Sequence, residues 1–298
     1  MKILVIGAKG FIGSHLVHYY EQQVGTQVWS CDVVTDYAAQ NYYLIDASNS
    51  DFNEVFQSQA FDVCINCSGA ANVSDSLVHP KRDFMLNTQN VFYVLDAIRQ
   101  HQPNCRYIQL SSAAVYGNPA SLPISENAAL SPISPYGWHK LQAEMLCKEF
   151  YEIFGIRTAC LRIFSVYGPG LKKQLLWDLF NRLKQNKLEL FGTGQETRDF
   201  IYIDDLVSAI DLIVRHSPFS NTIYNVANGD QIRVSDIANL VLKCVNSDQK
   251  FEFNGKVREG DPINWLSDVS KITSIGYKSK VSIKQGVDNY YKWICNNL

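Results

Sequence analysis

No stretch of this chain comes near the roughly 20 consecutive apolar residues needed to cross a bilayer, and its 27 basic residues are nowhere gathered into a block. The first absence excludes a membrane-spanning helix. The second removes the usual footprint of a nucleic-acid-binding face or a polybasic membrane anchor. With 29 acidic residues against those 27 the formal charge is -2, so an anionic partner has to be held by local groups. A signal-peptide layout is missing too: Lys2 passes straight into the strand-like ILVIGA, as expected of a cytoplasmic protein. There is no internal repeat, low-complexity tract or disordered linker. The eight cysteines are scattered, and only Cys64 and Cys67, in DVCINCSG, have CxxC spacing. No second CxxC or His pair completes a metal site, so these read as reduced, mostly buried thiols and no metal is expected.

What the chain does have is enough apolar material for a sizeable core, 46% of 298 residues with 19% charged. KILVIGA leads into a stretch that sets Phe11, Ile12, Leu16, Val17 and Tyr20 on one helical side. The strands QVWSCD, YYLID, DVCINC and RYIQLSS follow, with helical segments between most of them. Repeated β-then-α order predicts an α/β fold, a parallel sheet covered by helices on both faces. After about residue 165 the pattern becomes irregular, with Gly-rich loops in YGPGLKKQ, FGTGQE and NGKVREGDP, which predicts a smaller second lobe packed on the first.

Gly7, Gly10 and Gly13 in GAKGFIG directly follow the first strand and open the first helix. There they allow a tight turn, close approach of a pyrophosphate to the backbone and close packing of helix on strand, with the helix N-terminus favouring negative charge. In isolation the same spacing is also a capped loop; in this context it predicts a dinucleotide site. Asp32 closes the next strand, where a carboxylate can accept from both ribose hydroxyls and repel a 2′-phosphate, favouring NAD over NADP. The plainer reading is a strand-end Asp capping a turn. Asp46, read as the end of the following strand, is a weaker candidate for the adenine amino group.

SPYGWHK places Tyr136 and Lys140 four residues apart, on one face of a helix. Alone, the pair is equally what a solvated helix face presents. IQLSSAAVYG, however, puts Ser111 and Ser112 at the end of an apolar strand, and ligands of such sheets bind beyond the carboxyl ends of the strands. A hydroxyl there can meet Tyr136.

With these motifs in order, GAKGFIG, Asp32, NCSGAANV, Asn87, SSAAVYG, YGWHK, LRIFSVYGPG, GTGQETRDFIYIDD, YNVANG and REGDP, the chain resembles the extended short-chain dehydrogenase/reductase superfamily over nearly its whole length. Within it the likeness is to the NAD-dependent nucleotide-sugar epimerase/dehydratase family. The resemblance implies a Rossmann-type, doubly wound parallel sheet and a smaller C-terminal lobe that holds a nucleoside-diphosphate sugar. The expected division is 1–165 with 200–228 for NAD, and 166–199 with 229–298 for the sugar nucleotide. It further implies Ser112, Tyr136 and Lys140 as catalytic triad. Cofactor contacts would come from Gly7, Gly10, Phe11, Ile12, Gly13, Asp32, Asp46, Ala47, Cys67, Ser68, Gly69, Asn87, Tyr136, Lys140 and Phe164. Substrate contacts would come from Ser112, Ser165, Arg198 and Arg258. From spacing alone the two arginines are surface residues; by resemblance they grip the diphosphate through bidentate guanidinium bonds. A homodimer in the cytoplasm, with no nucleic-acid or membrane partner, completes the expectation.

On this reading Tyr136 exchanges a proton with a sugar hydroxyl, drawn below its usual range near about 10 by the Lys140 cation and the positive nicotinamide. Three departures from the family pattern bear on the reaction. Ser165 stands where Asn is frequent, Gln89 and Asn90 replace a glycine and threonine after Asn87, and Ala113 and Ala114 occupy the positions of the acidic pair found in members that eliminate water. Alanines can neither protonate a leaving hydroxyl nor remove the C5 proton, so a 4,6-dehydratase is disfavoured. An epimerase acting at C4 through a transient 4-keto sugar is the favoured function. The alternatives are an NAD(P)H-dependent 4-ketoreductase and, further off, a decarboxylase or a non-catalytic binding protein on the same scaffold.

Overall fold

The computed structural model describes residues 1–47, 49–256 and 258–297. Seven strands form its central sheet: β1 (Lys2–Ile6), β2 (Gln27–Asp32), β3 (Tyr42–Leu44), β4 (Val63–Asn66), β5 (Arg106–Ser112), β6 (Thr158–Ile163) and β7 (Ser220–Val226). Their order across the sheet is β3-β2-β1-β4-β5-β6-β7 and every pairing is parallel. Helices α1 (Phe11–Glu21), α2 (Asn53–Ser58), α3 (Val73–Val78), α4 (Pro80–Phe84), α5 (Asn90–His101) and α6 (Pro135–Phe154) alternate with the strands. After them come α7 (Gln174–Lys184), α8 (Ile203–His216), α9 (Val234–Cys244), α10 (Ser270–Ser274) and α11 (Ile283–Asn297). Among the described residues no helix is long and apolar enough to cross a membrane.

Alternation along the strands explains the layering. In β1, Ile3 and Val5 pack with Leu16 and Tyr20 of α1 and with the apolar face of α8, whereas Leu4 and Ile6 pack with Val94, Leu95 and Ile98 of α5 and Ala143 and Phe150 of α6. The sheet is therefore buried on both faces, and its inner strands need apolar residues at consecutive positions rather than every second one. β3 is shorter than the sequence suggested. It ends at Leu44, and only the Ile45 amide extends the ladder, to Asp32 O, so Asp46 lies beyond the strand rather than closing it.

The later segments do two things. β7 joins the main sheet beside β6, and α8 packs against α1, so this stretch is built into the large layer. Other pieces pair in short ladders: 165–167 with 200–202, 197–198 with 232–233, and 189–190 with 252–253. These hold the loops that carry Ser165 and Arg198.

One buried ion pair joins the layers. Glu144, on the same face of α6 as Tyr136 and Lys140, meets Arg162 of β6 at 2.7 to 3.2 Å through three contacts, with both side chains about 5% exposed. Glu144 also accepts from Ser111 Oγ at 2.5 Å, and Arg162 donates to Tyr116 Oη and to the Glu126 carbonyl, both at 2.9 Å. Tyr116 continues to Asn225 of β7 at 2.6 Å. A buried charge left without its partner costs more than the pair itself contributes. Glu144→Leu is thus expected to lower the urea-derived unfolding free energy by about 3–5 kcal/mol, and the Glu144→Leu/Arg162→Met double variant to recover most of that loss.

Candidate functional site

The glycine turn after β1 is built by contact. Gly7 has φ +78°, and a Cβ on Gly13 would lie 2.1 Å from Gly7 O, so α1 can approach β1 this closely only with glycine at 13. α1 starts at Gly10 without a side-chain cap and without acidic residues in its first turn. Its first amides, including those of Phe11 and Ile12, are oriented for an anion such as a pyrophosphate. Asp32, at the end of β2, holds its carboxylate at the rim of this turn by accepting from the amides of Lys9 (2.7 Å), Val33 (2.7 Å) and Val34 (3.3 Å). Asp46 and Ala47 are exposed beyond β3 on the same edge.

The loop after β4 forms the next wall. Cys67 N bonds Ile6 O at 2.8 Å, Ser68 bonds Asn66 Oδ1 through both amide and hydroxyl, and Gly69 is exposed. Behind it Asn87 is buried in a π-helical turn, Met85–Gln89, inserted between α4 and α5. Its Oδ1 faces Gly69, where a Cβ would lie 2.4 Å away, and finds no hydrogen-bond partner among the described residues. Buried thiols need no further account: burial pushes Cys67 and Cys64 up, which keeps them protonated.

Ser112, Tyr136 and Lys140 do come together. Ser112 caps the turn Ala113–Val115, accepting from Ala114 N at 3.2 Å. Ser134 caps α6, and the Tyr136 amide is fixed by Ser76 Oγ of α3 at 3.1 Å. A Cβ on Gly137 would lie 2.6 Å from Ala114 O, so glycine in SPYGWHK is what lets α6 press Tyr136 against the Ser112 segment. Lys140 Nζ donates to Leu110 O at 3.0 Å and stands 5.9 Å from the Tyr136 ring centre.

Burial dominates the electrostatics of this cluster and corrects one expectation. Burial pushes the Tyr136 phenol up to about 12, a hydrogen bond with Ser112 opposes this, and the Asp83 carboxylate adds to it. Lys140 was expected to draw the phenol down, but the lysine is itself desolvated, which lowers its pKa to about 8, with Asp83, Cys67 and Glu144 opposing that fall. The free chain therefore keeps a neutral phenol beside a lysine that loses its proton only slightly above neutrality.

On the lobe side, Phe164 is buried, with its amide on Val226 O, and Trp265 packs edge-on against it at 5.7 Å. Arg198 lies over Trp265 at 5.8 Å and donates to Thr197 O and Ile263 O, while Ser165 N bonds Asp199 O at 3.0 Å. Exposed Arg258 lies over Phe191 at 5.9 Å. Burial raises the Asp261 carboxyl, and the charges of Arg198 and Arg258 oppose that rise.

The model of the NAD dependent epimerase/dehydratase family matches residues 3–227. The chain belongs to this family. It is 29% identical over 312 residues to the uncharacterized UDP-glucose epimerase YtcB of Bacillus subtilis, covering 97% of this chain and 96% of that one. To the UDP-glucose 4-epimerase of Lactobacillus helveticus it is 27% identical over 323 residues, covering 98% and 97%. The crystal structure of UDP-glucuronic acid 4-epimerase from Bacillus cereus, in complex with UDP-glucuronic acid and NAD, aligns at 27% identity with a TM-score of 0.91 over 100% of both chains. NAD is the cofactor of this fold family, and the glycine cradle, the uncapped α1 terminus, Asp32 and the unpartnered Asn87 Oδ1 all fit it.

As a member of the NAD dependent epimerase/dehydratase family, the chain also carries groups that motif spacing did not single out. Asp83 meets His139 of α6 at 2.5 Å, and Glu144 with Arg162 anchors the same helix. Asp199, fully buried, gathers the amides of Asn228, Gly229 and Ser267 at 3.0 to 3.1 Å, and burial pushes it up to about 7. Only for Glu144 was there a signal, its place one turn beyond Lys140.

Lys140 generates a stability prediction. Its folded pKa of about 8 lies below its ordinary 10.5, so protonation opposes folding; the penalty is full below pH 8 and gone above the unfolded value. Lys140→Met should therefore stabilise the cofactor-free protein by about 2–3 kcal/mol at pH 7, and the gain measured by urea unfolding should vanish as pH rises from 8 towards 10.5.

Proposed function

We propose that this protein is an NAD-dependent epimerase acting at C4 of a UDP-linked sugar. The observation that carries the reading is the grouping of half-buried Ser112 with buried Tyr136 and Lys140 at the carboxyl edge of the sheet whose first strand leads into the glycine turn that suits a dinucleotide. Tyr136 is the acid/base at the C4 hydroxyl: it takes the proton as the 4-keto sugar forms and returns it when the sugar is reduced on the opposite face. Ser112 orients the sugar oxygen and the phenol. Lys140 supplies positive charge near the phenol, so the pair can cycle without recruiting water into a dry site. Bound NAD would supply the hydride acceptor and donor for C4.

Asp32 favours this reading over a 4-ketoreductase, because a ribose-binding carboxylate suits retained NAD. Ala113, fully buried, and Ala114 offer no acid or base for dehydration. Division into lobes 1–165 with 200–228 and 166–199 with 229–298 is supported by the pairing of β7 with β6, which returns that stretch to the main sheet. The sugar nucleotide then lies between Ser112, Ser165, Arg198 and Arg258, with its diphosphate on the two arginines. A homodimer is supported by the large apolar side chains that the neighbouring helices expose: Phe84 and Met85, Phe92 and Tyr93 of α5, and Trp138 and Met145 of α6. Cytoplasmic residence fits free cysteines at all eight positions.

The test is incubation of purified protein with UDP-glucose, UDP-glucuronate and UDP-N-acetylglucosamine without added NADH, with products resolved by NMR. A C4 epimer is expected from at least one, and Tyr136→Phe should slow it by about 10² to 10⁴ with NAD affinity changed only a few-fold. Turnover only of a 4-keto sugar, with stoichiometric oxidation of added NADH, would transfer the protein to the ketoreductases. For the lobes, Arg198→Ala and Arg258→Ala should each raise the dissociation constant of the sugar nucleotide at least about tenfold and leave that of NAD nearly unchanged, both read by calorimetry. Loss of NAD instead would refute the assignment.

A further inference from the structure

Among the buried acidic groups that the mechanism above does not use, one adjoins the helix of Tyr136 and Lys140. Asp83, at 2% exposure, sits at the end of α4 and uses both carboxylate oxygens: Oδ2 takes His139 Nδ1 at 2.5 Å and Oδ1 takes Asn87 Nδ2 at 3.0 Å. His139 immediately precedes Lys140 in α6, and its carbonyl also accepts from Thr88 Oγ1, the residue after Asn87, at 3.1 Å. A polar chain thus runs from the catalytic helix through Asp83 into the π-helical turn, and from there to Gly69.

Its polarity is dictated by the carboxylate. An ionised Asp only accepts, so His139 must carry its proton on Nδ1 and Asn87 must turn its NH₂ towards Asp83. The carbonyl Oδ1 is then forced to face the Gly69 Cα, close enough that a Cβ there would be 2.4 Å away. The site of that absent Cβ is held by a Gly69 hydrogen, which an oxygen can meet as a weak Cα–H acceptor, whereas an NH₂ would direct hydrogens against it and lift the loop.

We propose that Asp83 and His139 are positioning residues that set the orientation of the Asn87 amide. Through it they fix the 67–69 loop against the cofactor and lock that loop to the helix bearing Tyr136 and Lys140. The inference rests on the reading that the 67–69 loop lies along NAD. Asp83 also favours the protonated form of Lys140, so the same carboxylate serves both walls of the site.

The experiment is calorimetric titration of NAD into protein stripped of cofactor, with a thermal melt on each preparation. Asp83→Asn leaves one oxygen where two donors, Asn87 Nδ2 and His139 Nδ1, each had their own; where His139 keeps it, the Asn87 amide turns over, and NAD affinity should fall at least about tenfold while the melt stays cooperative. In the Asp83→Asn/Asn87→Asp double variant the new carboxylate again offers oxygens to both sides, and affinity should return to within about threefold of wild type. His139→Asn keeps a donor at the Nδ1 position and should bind as wild type; His139→Leu should bind as poorly as Asp83→Asn, and serves in its place should that variant not fold. Wild-type affinity in Asp83→Asn and His139→Leu, or a double variant no better than the single, would overturn the proposal. Failure of the wild-type protein to bind NAD would instead overturn the cofactor reading on which it rests.

Discussion

The Glu144–Arg162 pair ties together the segments that carry Ser112, Lys140 and Ser165. Ser111, which donates to Glu144, is next to Ser112; Lys140 is one turn before Glu144; Phe164 and Ser165 follow Arg162 by two and three residues. Three separate elements, β5, α6 and β6, are therefore referenced to the same carboxylate. Taking both charges out of water is costly, and only the fork of guanidinium bonds together with Ser111, Tyr116 and the Glu126 carbonyl satisfies them. The return is geometric. Ser112, Tyr136 and Lys140 are carried on elements that cannot slide past one another without stranding a charge.

The same dryness tunes the chemistry. Burial moves Tyr136 up and Lys140 down, so their proton affinities separate in the sense that keeps both forms neutral-leaning in the free chain. Groups that are costly to charge respond strongly to a charge brought beside them, which suits a site whose ligands carry their own. Asp83 moderates the effect, holding Lys140 closer to its protonated state while bonding to His139 and Asn87.

Positive charge at Arg198 and Arg258 is handled differently. Each guanidinium lies over an aromatic face, Trp265 and Phe191 respectively, and both charges oppose the rise that burial imposes on the Asp261 carboxyl. Asp199 stabilises the loops behind them by gathering backbone amides from two segments.

By itself the sequence determined what depends on neighbours along the chain. The order of strands and helices, the glycine turn at Gly7 to Gly13, Asp32 closing β2 and the helical spacing of Tyr136 and Lys140 were all legible, because each is set by backbone sterics or by one helical period. The tertiary structure alone decided which charges lose water and with whom they pair. Asp83 is 56 residues from His139 and Glu144 is 18 from Arg162, separations that no period announces. The π-helical turn at Asn87 has no local signature of its own, and Asp46 fell outside its strand because β3 stops where its partner β2 stops. Whether lysine or burial governs the phenol was likewise invisible in SPYGWHK. Desolvation depends on what the folded chain packs around an ionisable group, and that environment does not exist until α6 closes on the end of β5.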